Sequence, residues 1–186
     1  MKTQIRISGS GGQGIILAGI LLAEAGIIDG KKALQSQSYG PESRGGSSRA
    51  DVIISDEIIY FPRAVKLDTL LCLTQEAADK FIDALKSAGT FIYDSSQISI
   101  NPIDGEAIGI PFSELAIKKF KTTMVTNILS LAFTCRITNT VSLYALRKAL
   151  RKRIKPKYVD INLKAVRLGV RLAEEYLSEG SLLTRE

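Results

Sequence analysis

The sequence predicts an α/β protein whose mostly parallel, Rossmann-like sheet is flanked by helices and whose C-terminal half is helical. Two observations support this fold class. A strand pattern, a glycine-rich turn and an apolar helix pattern follow one another at the beginning of the chain, as in a βαβ unit. From Phe112 onward the remaining patterns have a helical period. The length of 186 residues predicts one domain, residues 1–178, and a polar tail, residues 179–186, that is expected to fray.

The first unit of the fold has the clearest pattern. Residues 4–8 alternate between polar and apolar side chains, which predicts a strand with Ile5 and Ile7 on one face. Residues 9–14 contain four glycines and are therefore predicted to form a turn. Residues 15–28 are apolar nearly all round, as expected for a helix that is covered on most sides.

The later elements follow from periodicity and from the turn residues between them. Strands are predicted at residues 32–37, 50–55, 57–60, 68–73, 90–93 and 107–110. Residues 50–55 and 57–60 are expected to pair as a hairpin around Asp56. Residues 38–48 contain Pro41 and three glycines, which predicts a loop. Helices are predicted at residues 75–87, 112–120, 124–137, 142–152 and 158–177.

The composition narrows the chemistry that this chain can perform alone. It contains no histidine, so the commonest general base and metal ligand is absent. Its two cysteines, Cys72 and Cys135, stand in apolar sequence and are predicted to be buried thiols of a cytoplasmic protein. Two thiolates cannot hold a four-cysteine iron–sulfur cluster. The apolar run 15–28 is interrupted by Glu24 and is short for a membrane span, so no membrane association is expected.

The glycine-rich turn is the first candidate site. Gly9, Gly11 and Gly14 match the spacing G-x-G-x-x-G between a strand and a helix, where backbone amides and the helix dipole favour an anion. A dinucleotide site also needs an acidic residue after the second strand, and residues 35–38 contain none. No Gly-Lys-Ser/Thr follows, which argues against a nucleoside-triphosphate loop. Anion binding and close strand–helix packing explain these glycines equally well.

The second candidate site is the loop Tyr39-Gly40-Pro41-Glu42-Ser43-Arg44-Gly45-Gly46. The Arg44 guanidinium is suited to bind a carboxylate or phosphate. Taken alone, however, the loop slightly favours a plain surface segment in which Glu42 pairs with Arg44. Both candidate loops follow the carboxyl ends of early strands, so they are predicted to meet at the sheet edge where open α/β sheets bind ligands.

A basic segment marks the C-terminal half. Seven cations lie between residues 147 and 157, and the whole chain has a formal charge of +6. A solvated helix face explains them best, contact with an acidic protein comes second, and nucleic acid comes third.

The two candidate loops together resemble a known family. The sequence Gly-Ser-Gly-Gly-Gln-Gly, followed by residues 15–26 and later by Ser-Tyr-Gly-Pro-Glu-Ser-Arg-Gly-Gly, is similar to the gamma subunit of 2-oxoacid:ferredoxin oxidoreductases. The likeness continues through residues 54–62 and ends at residues 162–169, so it covers nearly the whole chain. The Arg-Gly-Gly ending looks like that of the 2-oxoglutarate or branched-chain 2-oxoacid members.

The resemblance implies a role in a complex. A 2-oxoacid, most simply 2-oxoglutarate, reacts with coenzyme A and oxidised ferredoxin to give acyl-CoA, carbon dioxide and reduced ferredoxin. Thiamine diphosphate, magnesium and iron–sulfur clusters are then expected in the alpha, beta and ferredoxin-like sibling subunits, and this chain is expected to have no catalytic residue. A homodimer of the isolated chain is left open. The residues expected to face cofactor or substrate are Gly9, Ser10, Gly11, Gly12, Gln13, Gly14, Tyr39, Gly40, Arg44, Gly45 and Gly46.

Two departures from the family pattern leave alternatives open. Residues 123–128 lack the glycine that relatives carry there, so the close helix contact of that glycine is in question. Arg49 stands where relatives of this type have smaller residues, which leaves room for another substrate. A stand-alone dinucleotide or flavin reductase and a basic nucleic-acid-binding module remain the rival functions.

Overall fold

A computed structural model describes residues 2–38, 47–101, 103 and 105–183. Within these ranges the chain forms six strands and six α-helices. The strands are β1 (Lys2–Ser10), β2 (Lys32–Ser38), β3 (Ser47–Ser55), β4 (Leu67–Cys72), β5 (Leu85–Asp94) and β6 (Glu106–Ile110). The helices are α1 (Ile15–Ile28), α2 (Gln75–Phe81), α3 (Phe112–Phe120), α4 (Thr126–Thr138), α5 (Leu143–Arg153) and α6 (Pro156–Leu183).

The strands form one sheet in the order β2-β3-β1-β4-β5-β6. Strands β1, β4, β5 and β6 are parallel, whereas β3 pairs antiparallel with both β1 and β2. Strand β2 therefore runs in the same direction as β1, and β3 alone among these six strands is reversed. This arrangement confirms the predicted α/β fold with a mostly parallel sheet. The carboxyl ends of β1 and β2 lie at one edge of the sheet, called the carboxyl edge below.

Helices cover both faces of the sheet. Helices α1, α4, α5 and α6 contribute to the larger core, which also contains Ile5 and Ile7 as predicted. Helix α2 packs on the opposite face against residues of β4 and β5. Cys72 and Cys135 are both buried, as predicted. Burial raises the pKa of both thiols, that of Cys135 to about 12, so they are inert as nucleophiles.

The predicted hairpin at residues 50–60 is wrong. Strand β3 is continuous from Ser47 to Ser55, and Ser55 pairs with both Lys2 of β1 and Lys32 of β2. The chain leaves the sheet after Ser55, and residues 57–60 form no strand. Strand β3 instead pairs antiparallel with β2, the strand that precedes it in the chain, as well as with β1.

Several other boundaries also differ from the predictions: β5 begins at Leu85 rather than at residue 90, and Ser47 and Ser48 belong to β3 rather than to the predicted loop. The helix predicted to end at residue 87 ends at Phe81, because Leu85 already pairs with Leu67 in the parallel sheet. Gly9 and Ser10 belong to β1 rather than to the turn, because they pair with Ser48 and Ser47 of β3. The other predicted elements match observed ones, and α6 continues past residue 178 to Leu183.

Gly169 of α6 makes a close backbone contact with α4. A Cβ atom at this position would lie 2.3 Å from the Leu129 carbonyl oxygen and 3.0 Å from the Phe133 nitrogen. Both neighbours are backbone atoms of α4, so they cannot move aside as a side chain would. A glycine of α6 therefore permits close packing against residues 129–133 of α4.

Replacing Gly169 with valine should therefore separate α4 from α6. We expect the free energy of unfolding to fall by about 3 kcal/mol, the upper range for overpacking of a core. Denaturant unfolding followed by far-UV circular dichroism measures this change. Gly11→Val is the matched control, because nothing lies within 4 Å of a Cβ at Gly11. Equal losses in the two variants would contradict the prediction.

Candidate functional site

The turn between β1 and α1 depends on glycine at two positions. Gly12 and Gly14 have φ angles of 89° and 72°, in the left-handed region that side chains disfavour. Gly14 immediately precedes α1. The turn itself is Gly11–Gly14, shorter than the predicted stretch because Gly9 and Ser10 belong to β1.

Gln13 closes this turn on itself. Its side-chain Oε1 atom accepts a hydrogen bond of 2.7 Å from the Ser10 backbone amide. The Gln13 backbone amide in turn donates to the Ser10 carbonyl at 3.3 Å. A Cβ atom on Gly9 would lie 2.3 Å from Gln13 Oε1 and 3.3 Å from Leu73 Cβ. Gly9 thus leaves the space that the Gln13 side chain occupies, so close packing explains this glycine.

Asn127 of α4 holds the turn from the other side, a role that no sequence pattern indicates. The Asn127 Nδ2 atom donates a hydrogen bond of 3.0 Å to the Gly14 carbonyl. A Cβ atom on Gly14 would lie 2.3 Å from the same nitrogen. The side chain is buried. Since 113 residues separate the two partners, no local pattern reveals their contact.

The beginning of α1 offers an electropositive, open surface. No side chain caps the helix by a hydrogen bond, and its first turn contains no acidic residue. A Cβ atom added at Gly11 or Gly12 would have no neighbour within 4 Å, so the backbone there is accessible. The amides of the first turn have no partners within the helix, and the helix dipole adds partial positive charge. This geometry suits a phosphate or carboxylate group.

A cavity lies beside this helix terminus. Its volume is about 420 Å³, and its wall combines the turn with α3 and α4. Thr126 contributes a buried Oγ1 atom for which the described residues provide no hydrogen-bond partner. The lining of this cavity includes Gly12, Gln13, Gly14, Ser113, Thr126 and Asn127.

A second, mainly apolar cavity adjoins the first. Its volume is about 380 Å³, and it lies between α1, α4, the end of α5 and α6. The two cavities share Leu17, Met124 and Asn127, so they meet beside the glycine turn. Arg153 and Lys155 also line the second cavity. Polar and apolar binding space therefore lie next to each other at this end of α1.

The second candidate loop lies outside the described residues. This applies to Tyr39, Gly40, Arg44, Gly45 and Gly46, so their predicted part in binding stays a prediction. The neighbouring residues on either side are described: Ser38 pairs with Arg49, and Ser47 pairs with Ser10 at the end of β1. Both ends of the loop are thus attached at the carboxyl edge, beside the glycine turn.

Arg49 lies away from the glycine turn. Its guanidinium is 5.6 Å from the centre of the Phe81 ring of α2. Helix α1 covers the opposite face of the sheet, where Ala50 contacts it near Gly19. The sheet therefore separates the Arg49 side chain from the α1 terminus. Its effect on substrate choice stays a prediction.

The basic segment is largely solvent-exposed. Arg147 is half-buried, and the other six cations between residues 147 and 157 are exposed. Arg153 is paired with Glu24 of α1, and Lys152 lies 3.8 Å from the same carboxylate. The hydrogen bond from Arg153 lowers the pKa of Glu24. This pair fastens α5 to α1, and the partner of the remaining cations stays a prediction.

A search of the described ranges finds no group of three or more His, Cys, Asp or Glu side chains able to hold a metal ion. None of the helices in those ranges is long and apolar enough to cross a membrane.

Comparison with known proteins places the chain in a family. The family model of pyruvate ferredoxin/flavodoxin oxidoreductase matches residues 4–172. The chain belongs to this family. The 2-oxoglutarate synthase subunit KorC of Methanocaldococcus jannaschii is 42% identical over 179 residues, which cover 94% of this chain and 96% of that subunit. The resemblance predicted from the two loops is thereby confirmed.

Solved structures of this oxidoreductase family share the fold. The keto/oxoacid ferredoxin oxidoreductase gamma subunit of Geobacter sulfurreducens matches with a TM-score of 0.86 and 40% identity, covering 94% of this chain and 98% of that one. The 2-oxoglutarate:ferredoxin oxidoreductase of Magnetococcus marinus, solved with 2-oxoglutarate, coenzyme A and succinyl-CoA bound, matches with a TM-score of 0.84 and 26% identity. The latter match covers 94% of this chain but 31% of the longer chain.

Proposed function

We propose that this chain is the gamma subunit of a thiamine-diphosphate-dependent 2-oxoglutarate:ferredoxin oxidoreductase. The complex would convert 2-oxoglutarate, coenzyme A and oxidised ferredoxin to succinyl-CoA, carbon dioxide and reduced ferredoxin. The observation that supports this most directly is the near full-length similarity to KorC at 42% identity. The same architecture in an oxoacid oxidoreductase gamma subunit, with a TM-score of 0.86, agrees with it.

Within this complex the chain has a binding and closing role rather than a redox one. Thiamine diphosphate with magnesium would supply carbanion chemistry, and iron–sulfur clusters would carry electrons, all in the sibling subunits. The two cysteines of this chain are buried, inert thiols, so neither is proposed to take part in the reaction. The isolated chain is therefore expected to be inactive.

The contribution of this chain is an anion site at the carboxyl edge. The open backbone at Gly11 and Gly12 and the first turn of α1 would bind a negatively charged group of coenzyme A or of the 2-oxoacid. The neighbouring cavity provides room for the rest of the ligand. Arg44 would add a guanidinium from the adjacent loop, whose two ends are attached beside this turn.

Purification of the assembled complex tests the proposed function. We expect reduction of ferredoxin or methyl viologen that requires both 2-oxoglutarate and coenzyme A and that produces succinyl-CoA. The isolated chain should show no turnover with the same reagents. Turnover by the isolated chain without thiamine diphosphate would contradict the proposal. A complex that prefers a branched-chain 2-oxoacid would correct the substrate and leave the subunit role in place.

A further inference from the structure

A buried hydroxyl in the wall of the polar cavity has no hydrogen-bond partner. Within the described ranges, the buried side-chain oxygen atoms without a partner are Glu24 Oε2, Ser47 Oγ, Thr74 Oγ1 and Thr126 Oγ1. Of these four residues, Thr126 lines the cavity beside the glycine turn. Its exposed fraction is 5%. Because buried polar groups in folded proteins are nearly always hydrogen-bonded, an unpaired hydroxyl in a cavity wall indicates a group that binds there.

Two helices begin at this cavity. Helix α4 begins at Thr126, and the hydrogen bond of 3.0 Å from Asn127 Nδ2 to the Gly14 carbonyl fixes this end of α4 beside the beginning of α1. Neither helix has an acidic residue in its first turn. The described residues that line the cavity include no aspartate or glutamate. The positive ends of two helix dipoles therefore meet here without an opposing carboxylate.

The arrangement of donors and cavities distinguishes between the two ligands considered above. A terminal phosphate presents three oxygen atoms in different directions, so the first amides of α1 can bind it from one side and the Thr126 hydroxyl from another. The adjoining apolar cavity then suits an uncharged chain that carries the phosphate. Coenzyme A combines phosphate groups with such a chain. The short 2-oxoglutarate molecule has a carboxylate at each end and no part suited to the apolar cavity.

We propose that Thr126 is a ligand-binding residue whose hydroxyl donates to a phosphate group held at the first turn of α1. Threonine has two accessible χ1 rotamers in helices, so a rotation about χ1 directs the hydroxyl to the bound group. The inference rests on the proposed function and specifies its anion site, since it assigns the site to a phosphate of coenzyme A rather than to the 2-oxoacid. Thr126 acts on binding and not on the reacting atoms.

Binding of inorganic pyrophosphate to the full chain, measured by isothermal titration calorimetry, tests the site without turnover. The Thr126→Val variant replaces the hydroxyl with a methyl group, and we expect about tenfold weaker binding, as for a lost hydrogen bond to a charged group. Thr126→Ser keeps the hydroxyl and should retain the affinity. Thr134→Val is the matched control, because the buried Thr134 hydroxyl already donates to the Ser130 carbonyl within α4 at 2.9 Å.

Kinetics of the assembled complex test which ligand carries the phosphate. In Thr126→Val we expect the KM for coenzyme A to rise about tenfold, while kcat and the KM for 2-oxoglutarate stay unchanged. Unchanged pyrophosphate binding would assign the hydroxyl to a water molecule and overturn the proposal, and so would a rise in the KM for 2-oxoglutarate alone. Pyrophosphate binding that depends on Thr126, in a chain whose complex fails to turn over 2-oxoglutarate, would support this site and contradict the proposed function alone.

Discussion

The Asp51→Ala variant is expected to lose about 3–5 kcal/mol of unfolding free energy, because it leaves a buried guanidinium without its counter-ion. Arg6 of β1 and Asp51 of β3 are partners across the antiparallel pair and are both buried. Arg6 Nε lies 2.6 Å from Asp51 Oδ1, and Arg6 Nη2 lies 2.8 Å from Asp51 Oδ2. This bidentate geometry makes the ion pair strong, so the removal of one partner lowers the free energy of unfolding by a correspondingly large amount.

Denaturant unfolding of the isolated chain measures this effect. Asp160→Ala is the matched control, because the Asp160–Lys164 pair on α6 is solvent-exposed and is expected to contribute little to stability. Replacing both partners, as in Arg6→Met/Asp51→Leu, should restore part of the lost stability, since no buried charge then remains unpaired. An Asp51→Ala variant as stable as Asp160→Ala would show that Arg6 finds water or another acceptor.

The same pair connects the sheet to residues 57–66, the segment between β3 and β4. Arg6 Nη2 also approaches the carbonyl oxygen of Ala64 at 3.4 Å, and Ala64 is buried within the 57–66 segment. The Arg6 guanidinium also lies 4.8 Å from the centre of the Phe81 ring, so it contacts α2 as well. A single buried cation thus joins two strands, one helix and the segment that precedes β4.

Local sequence patterns predicted the elements of this fold better than the contacts between them. The β1–turn–α1 unit was found because alternation, glycine content and an apolar run all lie within 28 residues. The Arg6–Asp51 pair was missed because a charged residue in an alternating strand looks solvent-facing, and its partner is 45 residues away. Arg6 is buried because α2 covers its face of the sheet. The alternation of polar and apolar residues in β1 predicts that this face is exposed.

The incorrect hairpin has a physical explanation. Residues 57–60 were predicted to be a strand because Ile58, Ile59 and Tyr60 are apolar, β-prone residues. In the structure Ile59 packs inward while Ile58 and Tyr60 remain exposed at the sheet edge. β-propensity describes how well a residue suits the half-buried surface of a sheet. It does not indicate whether a neighbouring strand or another chain is present to form that surface.

The candidate site was predictable in part, for a similar reason. Glycine spacing identified the turn and its position before α1, and strand order placed the second loop at the same edge. The glycine spacing did not distinguish the glycines that leave room for a neighbouring side chain from those that face open space. Gly9 accommodates Gln13, whereas a Cβ atom at Gly11 or Gly12 would meet no neighbour within 4 Å. That difference depends on Gln13, Leu73 and Asn127, which reach the turn from three different places in the chain.

The Gly14→Ala variant should therefore damage the anion site more than its small size suggests. Alanine is strained at a φ of 72°, and its Cβ would lie 2.3 Å from Asn127 Nδ2. Either the turn or Asn127 must move, which displaces the first amides of α1 from any bound anion. In the assembled complex we expect the KM for coenzyme A or 2-oxoglutarate to rise about tenfold, equivalent to about 1.4 kcal/mol of lost binding.

Gly30→Ala is the control that isolates this effect from backbone strain. Gly30 has a similar φ of 80°, but nothing lies within 4 Å of a Cβ there, and it follows the far end of α1. Both variants should lose about 1 kcal/mol of stability from strain, yet only Gly14→Ala should raise KM. An unchanged KM in Gly14→Ala would remove the helix terminus from the binding site. Close packing, which accounts for Gly9 and Gly14, would then be the explanation that remains for those two glycines.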